Sequence, residues 1–109
     1  MRVVVTTVVL WAGFAAAAIA QDANVAKGQQ LFTDQKCTLC HSIGDKGNKK
    51  GPLDSVASRL SADDIRAWIT DAKGMIAKTK PTRKPEMKAF SLPKEDVDAL
   101  VAYLSTLKQ

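Results

Sequence analysis

Three stretches of the chain repeat apolar residues at the three-and-four spacing of a helix that buries one face. The first covers about residues 24–34, with Val25, Gly28, Leu31 and Phe32 on the apolar side. A glycine inside a helix costs about 1 kcal/mol relative to alanine, so Gly28 suggests a place where another helix comes close. The second opens at Ser61-Ala62-Asp63-Asp64 and sets Ile65, Trp68, Ile69 and Ala72 at i, i+3, i+4 and i+7. Ser61 suits an N-cap, and two acids in the first turn suit the positive end of the helix dipole. The third follows Pro93, expected at the first helical position, with Glu95 and Asp96 in the first turn. Its stripe is Val97, Leu100, Val101, Leu104 and Leu107, with Tyr103 at the edge. A short helical turn is also expected around residues 53–58.

The intervening segments carry weaker patterns. Residues 44–52 are rich in Gly and Lys and read as solvated turns. Residues 73–92 show little regular pattern and are interrupted by Gly74, Pro81 and Pro85, with Pro93 just beyond. An irregular stretch of that length in a small domain is usually functional or disordered. It contains Met75 and Met87. No segment alternates like a strand over useful length, so the expected fold class is all-α.

Residues 1–20 differ from the rest. Arg2 precedes a run without charge that ends in Ala18-Ile19-Ala20, a small-x-small cleavage site. This is the layout of a secretory signal peptide. The alternative is an uncleaved membrane anchor, since the run is nearly long enough to span a bilayer. The organisation expected is a signal peptide over 1–20 and one domain over 21–109, exported to the periplasm. That domain has few large apolar residues; its aromatics are Phe32, Trp68, Phe90 and Tyr103. Domains this small often depend on a disulfide, a metal or a cofactor. The formal net charge of +5 fits an acidic protein patch or an anionic surface. Export argues against a nucleic-acid partner, and a membrane partner is expected only if the N-terminal segment stays attached.

Cys37 and Cys40 enclose too short a loop for a bridge between them to stabilise a fold much. They belong to Cys37-Thr38-Leu39-Cys40-His41, the Cys-x-x-Cys-His pattern of c-type haem attachment. Two thiols at this spacing can add to the two vinyl groups of a haem, and the next residue places an imidazole at the iron. Zinc would need a carboxylate beside the two cysteines and the single histidine, which is atypical. A thioredoxin-like disulfide would want a βαβ setting that the pattern lacks. The expected cofactor is one covalent haem c with its iron, attached at Cys37 and Cys40 and ligated by His41.

His41 is the chain's one histidine, so a second histidine ligand from this chain is excluded. Methionine is the next natural ligand of an electron-transfer haem. Met87 is favoured, lying in the Pro-containing stretch Lys84-Pro85-Glu86-Met87-Lys88-Ala89-Phe90. Met75, a lysine, or an open sixth position are the alternatives.

Taken together, these residues resemble class I cytochrome c, the small mono-haem bacterial kind, over about residues 24–107. The helix with Gly28 and Phe32, the Cys37–His41 motif, Gly51-Pro52-Leu53, the helix with Trp68 and the last helix with Tyr103 all look like the family's segments. Met87-Lys88-Ala89-Phe90 resembles the family's Met-Pro-Ala-Phe ligand segment, with Lys88 in place of proline. The resemblance implies three main helices and short turns wrapped around one haem. It implies that the Pro52 carbonyl accepts a hydrogen bond from the His41 ring, fixing its orientation. Trp68 would pack on the haem or bond a propionate, or else be a plain core residue. Tyr103 would pack near Gly28.

The function implied is one-electron transfer, by a carrier and not an enzyme, with redox proteins as partners. Lys73, Lys78, Lys80, Arg83, Lys84 and Lys88 would form a basic rim for acidic patches on those partners, or else simply solvate the loop. Other readings are a haem-bearing electron-transfer subunit of a larger periplasmic oxidoreductase and an open-site gas-binding haem protein.

Overall fold

The computed structural model describes residues 3–5 and 14–109. Residues 1–2 and 6–13 of the expected signal peptide lie outside the described residues. Five helices follow in order: α1 (Phe14–Asp34), α2 (Val56–Arg59), α3 (Ala62–Thr70), α4 (Ala72–Thr79) and α5 (Lys94–Leu104). A 3-10 turn spans Cys37–Leu39, and two very short antiparallel strands, β1 (Ser42–Ile43) and β2 (Lys46–Gly47), form a small hairpin after it. The all-α class stands. Among the described residues no helix is long and apolar enough to cross a membrane.

The core is built where the apolar stripes meet. Phe32 of α1, Val56 of α2, Ile65 and Ile69 of α3, and Val97, Leu100, Val101 and Leu104 of α5 form one buried cluster. α1 and α5 pack closely at Gly28, which is buried. A Cβ there would overlap the Ala99 carbonyl oxygen and come within 2.6 Å of the Tyr103 Cβ. Phe32 and Tyr103 meet edge to face, with centroids 6.1 Å apart, an arrangement that aromatic quadrupoles favour. The expected contact of Tyr103 with the glycine is therefore present. Lys27 of α1 pairs with Asp96 of α5 at 3.0 Å, and Arg66 of α3 pairs with Asp98 of α5 at 2.8 Å.

The helix ends follow capping chemistry. The Ser61 hydroxyl accepts from the Asp64 N–H, as expected. Four details differ from the sequence expectation. α1 begins upstream of residue 24. Residues 72–79 of the stretch expected to be irregular form α4, because the Asp71 carboxylate caps it at the Gly74 N–H and Ala72 and Met75 bury one face. α4 ends at Lys80 in the left-handed conformation, just before Pro81. Pro93 is the N-cap of α5 instead of its first helical residue. Leu107 lies past α5, yet it still packs against the core, and its carbonyl accepts from the Ala57 N–H.

Candidate haem site

The haem motif is held in a tight, multiply bonded turn directly after α1. Lys36 adopts a left-handed conformation (φ 59°), which ends the helix and reverses the chain. The Cys40 and His41 N–H groups then both donate to the Cys37 carbonyl. Asn48 ties the turn from the opposite side. Its N–H reaches the Thr38 and His41 carbonyls at 3.0 Å, and its side chain donates to the Leu39 carbonyl at 3.1 Å. Sequence reasoning read this Gly/Lys-rich segment as solvated turns. An asparagine in a turn carries no signal that its bonds point back at a motif seven residues away in sequence.

Cys37 packs against the core, Cys40 is exposed, and both thiols are free. Burial pushes the Cys37 thiol up to about 11. A thiol of that kind is not a thiolate at neutral pH, which argues against a redox-active disulfide. Among the described residues no group of three or more His, Cys, Asp and Glu side chains converges to hold a metal.

The His41 ring is half-buried, and its Nδ1 lies 3.0 Å from the Gly51 carbonyl oxygen. A carbonyl only accepts, so Nδ1 carries the proton. Nε2 is then the ring nitrogen with a lone pair for a metal. Burial lowers the pKa of this ring, the Gly51 bond opposes that, and the nearby Arg83 charge lowers it further. The neutral imidazole favoured in this way is the form that ligates iron. The acceptor corrects the expectation: it is Gly51 and not Pro52. Ser42 makes a parallel bridge to Pro52, its N–H donates to the Gly51 carbonyl, and the Leu53 N–H donates to the Ser42 carbonyl. This pairing turns the Gly51 carbonyl toward the ring.

Two free thiols, an oriented neutral imidazole and partly covered apolar side chains fit a haem attached at this turn. Ile43, Leu53, Leu60 and Phe90 pack against the core only in part. Each retains apolar surface that a flat macrocycle would cover. Trp68 is likewise half-buried.

The stretch after α4 is pinned at two points. The Arg83 guanidinium donates to the Cys40 carbonyl at 2.6 Å, and the Phe90 N–H donates to the carbonyl of Ile69 in α3 at 2.8 Å. Met87 lies between these anchors, half-buried, in an open cleft lined by Lys73 and Ile76 of α4 and by residues 84–89. Cys37, Cys40 and His41 do not line that cleft. Met75 is buried on α4. Arg83, expected in the docking rim, instead sits on the haem motif. Its position beside lysines gave no means of telling it from them.

The protein-family model "Cytochrome c" matches residues 25–108. Cytochrome c oxidase subunit 2 of Alkalihalophilus pseudofirmus is 31% identical over an alignment of 91 residues, and the match covers 75% of this chain and 25% of that protein. The chain thus spans about a quarter of that relative's length. No solved structure matches the chain. The family match, the all-α fold and the Cys37–His41 turn agree: the chain belongs to the cytochrome c family as a class I c-type cytochrome with covalent haem c.

Proposed function

We propose that the chain is a one-electron carrier, without catalysis of its own, in which His41 and Met87 are the two axial ligands of the haem iron. The observation that carries the Met87 assignment is the double tether of its loop. Arg83 binds the loop to the haem motif, Phe90 binds it to α3, and the half-buried Met87 lies between. The competing methionine, Met75, is only 8% exposed on the packed face of α4, so reaching a ligand position would mean unpacking that helix.

Bound haem supplies the one-electron couple of its iron. The chain's residues hold it and tune the couple. Cys37 and Cys40 anchor it, and the Gly51 carbonyl fixes the plane of the His41 ring. The methionine thioether, a soft and uncharged donor, favours the ferrous state and so raises the potential. The near-infrared sulfur-to-iron band of the oxidised protein tests the assignment. It is expected to vanish in Met87→Ala and to persist in Met75→Ala. The reverse pattern would overturn it, and rapid carbon monoxide binding by the reduced wild type would favour an open site instead.

A second reading concerns context. The similarity to an oxidase subunit favours an electron-transfer domain that works inside a larger oxidoreductase. We propose export to the periplasm through residues 1–20 on the strength of their signal-peptide layout. The exposed Lys73, Lys78, Lys80, Lys84 and Lys88 then offer a basic surface to acidic partners. Co-purification at low salt, followed by release at high salt, distinguishes a docked subunit from a free carrier.

A further inference from the structure

Arg83 is the residue whose surroundings its sequence position does not explain. One of its guanidinium nitrogens donates to the Cys40 carbonyl at 2.6 Å. Another occupies the space that a side chain at position 51 would fill. A Cβ on Gly51 would overlap that nitrogen and the Cys40 carbonyl oxygen, and would lie 2.9 Å from Nδ1 of His41. The absence of a side chain at Gly51 therefore lets a cation into the corner between the second cysteine and the ligand histidine. Among the described residues Arg83 pairs with no carboxylate, unlike Arg66, Lys27 and Lys94.

These contacts have two consequences. The first is mechanical. The stretch between Lys80 and Phe90 makes no other hydrogen bond to the haem motif among the described residues, so Arg83 is its clasp at that end. A hydrogen bond from a charged donor is stronger than a neutral one, and the planar fork positions more than a flexible ammonium would. The second is electrostatic. An uncompensated positive charge close to the ligand imidazole disfavours the ferric form, which carries one more positive charge than the ferrous form.

We infer that Arg83 is a positioning residue of the haem site: it clasps the Met87 loop to the Cys37–His41 turn and sets an unpaired positive charge beside the His41 ring, so that it governs both the opening of the sixth position and the reduction potential. The mechanical half rests on the proposed Met87 ligation. The electrostatic half requires only the haem at His41.

The test uses holoprotein: wild type, Arg83→Gln, Arg83→Lys and Met87→Ala. Two quantities are read, the association rate of imidazole with the ferric protein and the reduction potential. In Arg83→Gln imidazole is expected to bind about tenfold faster, the scale set by losing one charge-assisted hydrogen bond. The ferrous-to-ferric ratio at fixed potential should fall about tenfold, or about 59 mV for a one-electron couple. Arg83→Lys keeps the charge and loses the fork. It should restore the ratio to within about threefold of wild type while imidazole still binds faster, because an ammonium cannot reproduce the guanidinium geometry. A merely structural arginine would not separate the two readouts in this way. The proposal is overturned if Arg83→Gln matches wild type in both quantities, or if Lys and Gln lower the potential equally. Should Arg83→Gln fail to yield holoprotein, Arg83→Lys decides by the imidazole rate, and a rate equal to wild type overturns the clasp. If Met87→Ala leaves the imidazole rate at the wild-type value, the Met87 reading fails, and the potentials of the Lys and Gln variants still decide the role of Arg83.

Discussion

The sharpest test of the architecture is Gly28→Ala, because two opposing effects can be weighed there. On an isolated helix the substitution would stabilise by about 1 kcal/mol, since alanine loses less backbone freedom than glycine. In the folded protein the new methyl would overlap the Ala99 carbonyl oxygen, and it would sit 2.6 Å from the Cβ of Tyr103. Neither obstacle is the free end of a flexible side chain. One is backbone and the other is a Cβ fixed to its helix, so relief requires α5 to move away from α1. That movement would loosen the Phe32–Tyr103 edge-to-face pair and the Lys27–Asp96 ion pair, which join the same two helices. Overpacking of a rigid contact costs about 1–3 kcal/mol, and two immobile neighbours argue for the upper end. Against the gain in helix propensity, the net loss expected is about 2 kcal/mol. For a domain of this size that lowers the melting temperature by about 8–16 °C. Far-UV circular dichroism of the oxidised holoprotein, in heat and in guanidinium, measures it. Because the haem is covalent, it stays with the chain on unfolding. A Gly28→Ala protein as stable as wild type, or more stable, would show that α1 and α5 do not approach as closely as the structure has them.

Two further outcomes are expected. Ser61→Ala removes the hydroxyl that accepts from the Asp64 N–H at the start of α3 and should cost about 1 kcal/mol in guanidinium denaturation, whereas Ser61→Asp should leave stability nearly unchanged. Asp98 is held below the usual carboxylate range by hydrogen bonds from Lys94 and Arg66. Its stabilising contribution is therefore complete above the unfolded carboxylate pKa of about 3.9 and is lost as the pH falls through the lower folded value. Asp98→Asn should show a flatter loss of stability below about pH 4 than wild type, and parallel curves would refute the assignment.

Much of the fold was legible because its signals are local. Ser61 caps α3, and Ile65, Ile69, Val97, Leu100, Val101 and Leu104 all face the core that their spacing implied. The haem motif was legible for the same reason, since Cys37, Cys40 and His41 lie within five consecutive residues. Gly28 was readable as a close approach because a mid-helix glycine is costly without one. α4 was missed because Gly74 and the surrounding prolines weaken its propensity. Its formation depends on the Asp71 cap and on a packed surface for Ala72 and Met75.

The sequence by itself determined the class of protein, the candidate points of haem attachment and which faces of the helices turn inward, all of which follow from residue type and short-range spacing. Only the tertiary structure decided which carbonyl orients His41, that Asn48 ties the motif turn, and that Arg83 leaves the lysine-rich surface to sit against Cys40 and Gly51. Each of these is a contact between residues 9 to 43 positions apart along the chain, beyond the reach of a helical or turn pattern. Its partners are backbone carbonyls, which look alike at every position in a sequence and become specific only once the fold has turned them toward a side chain.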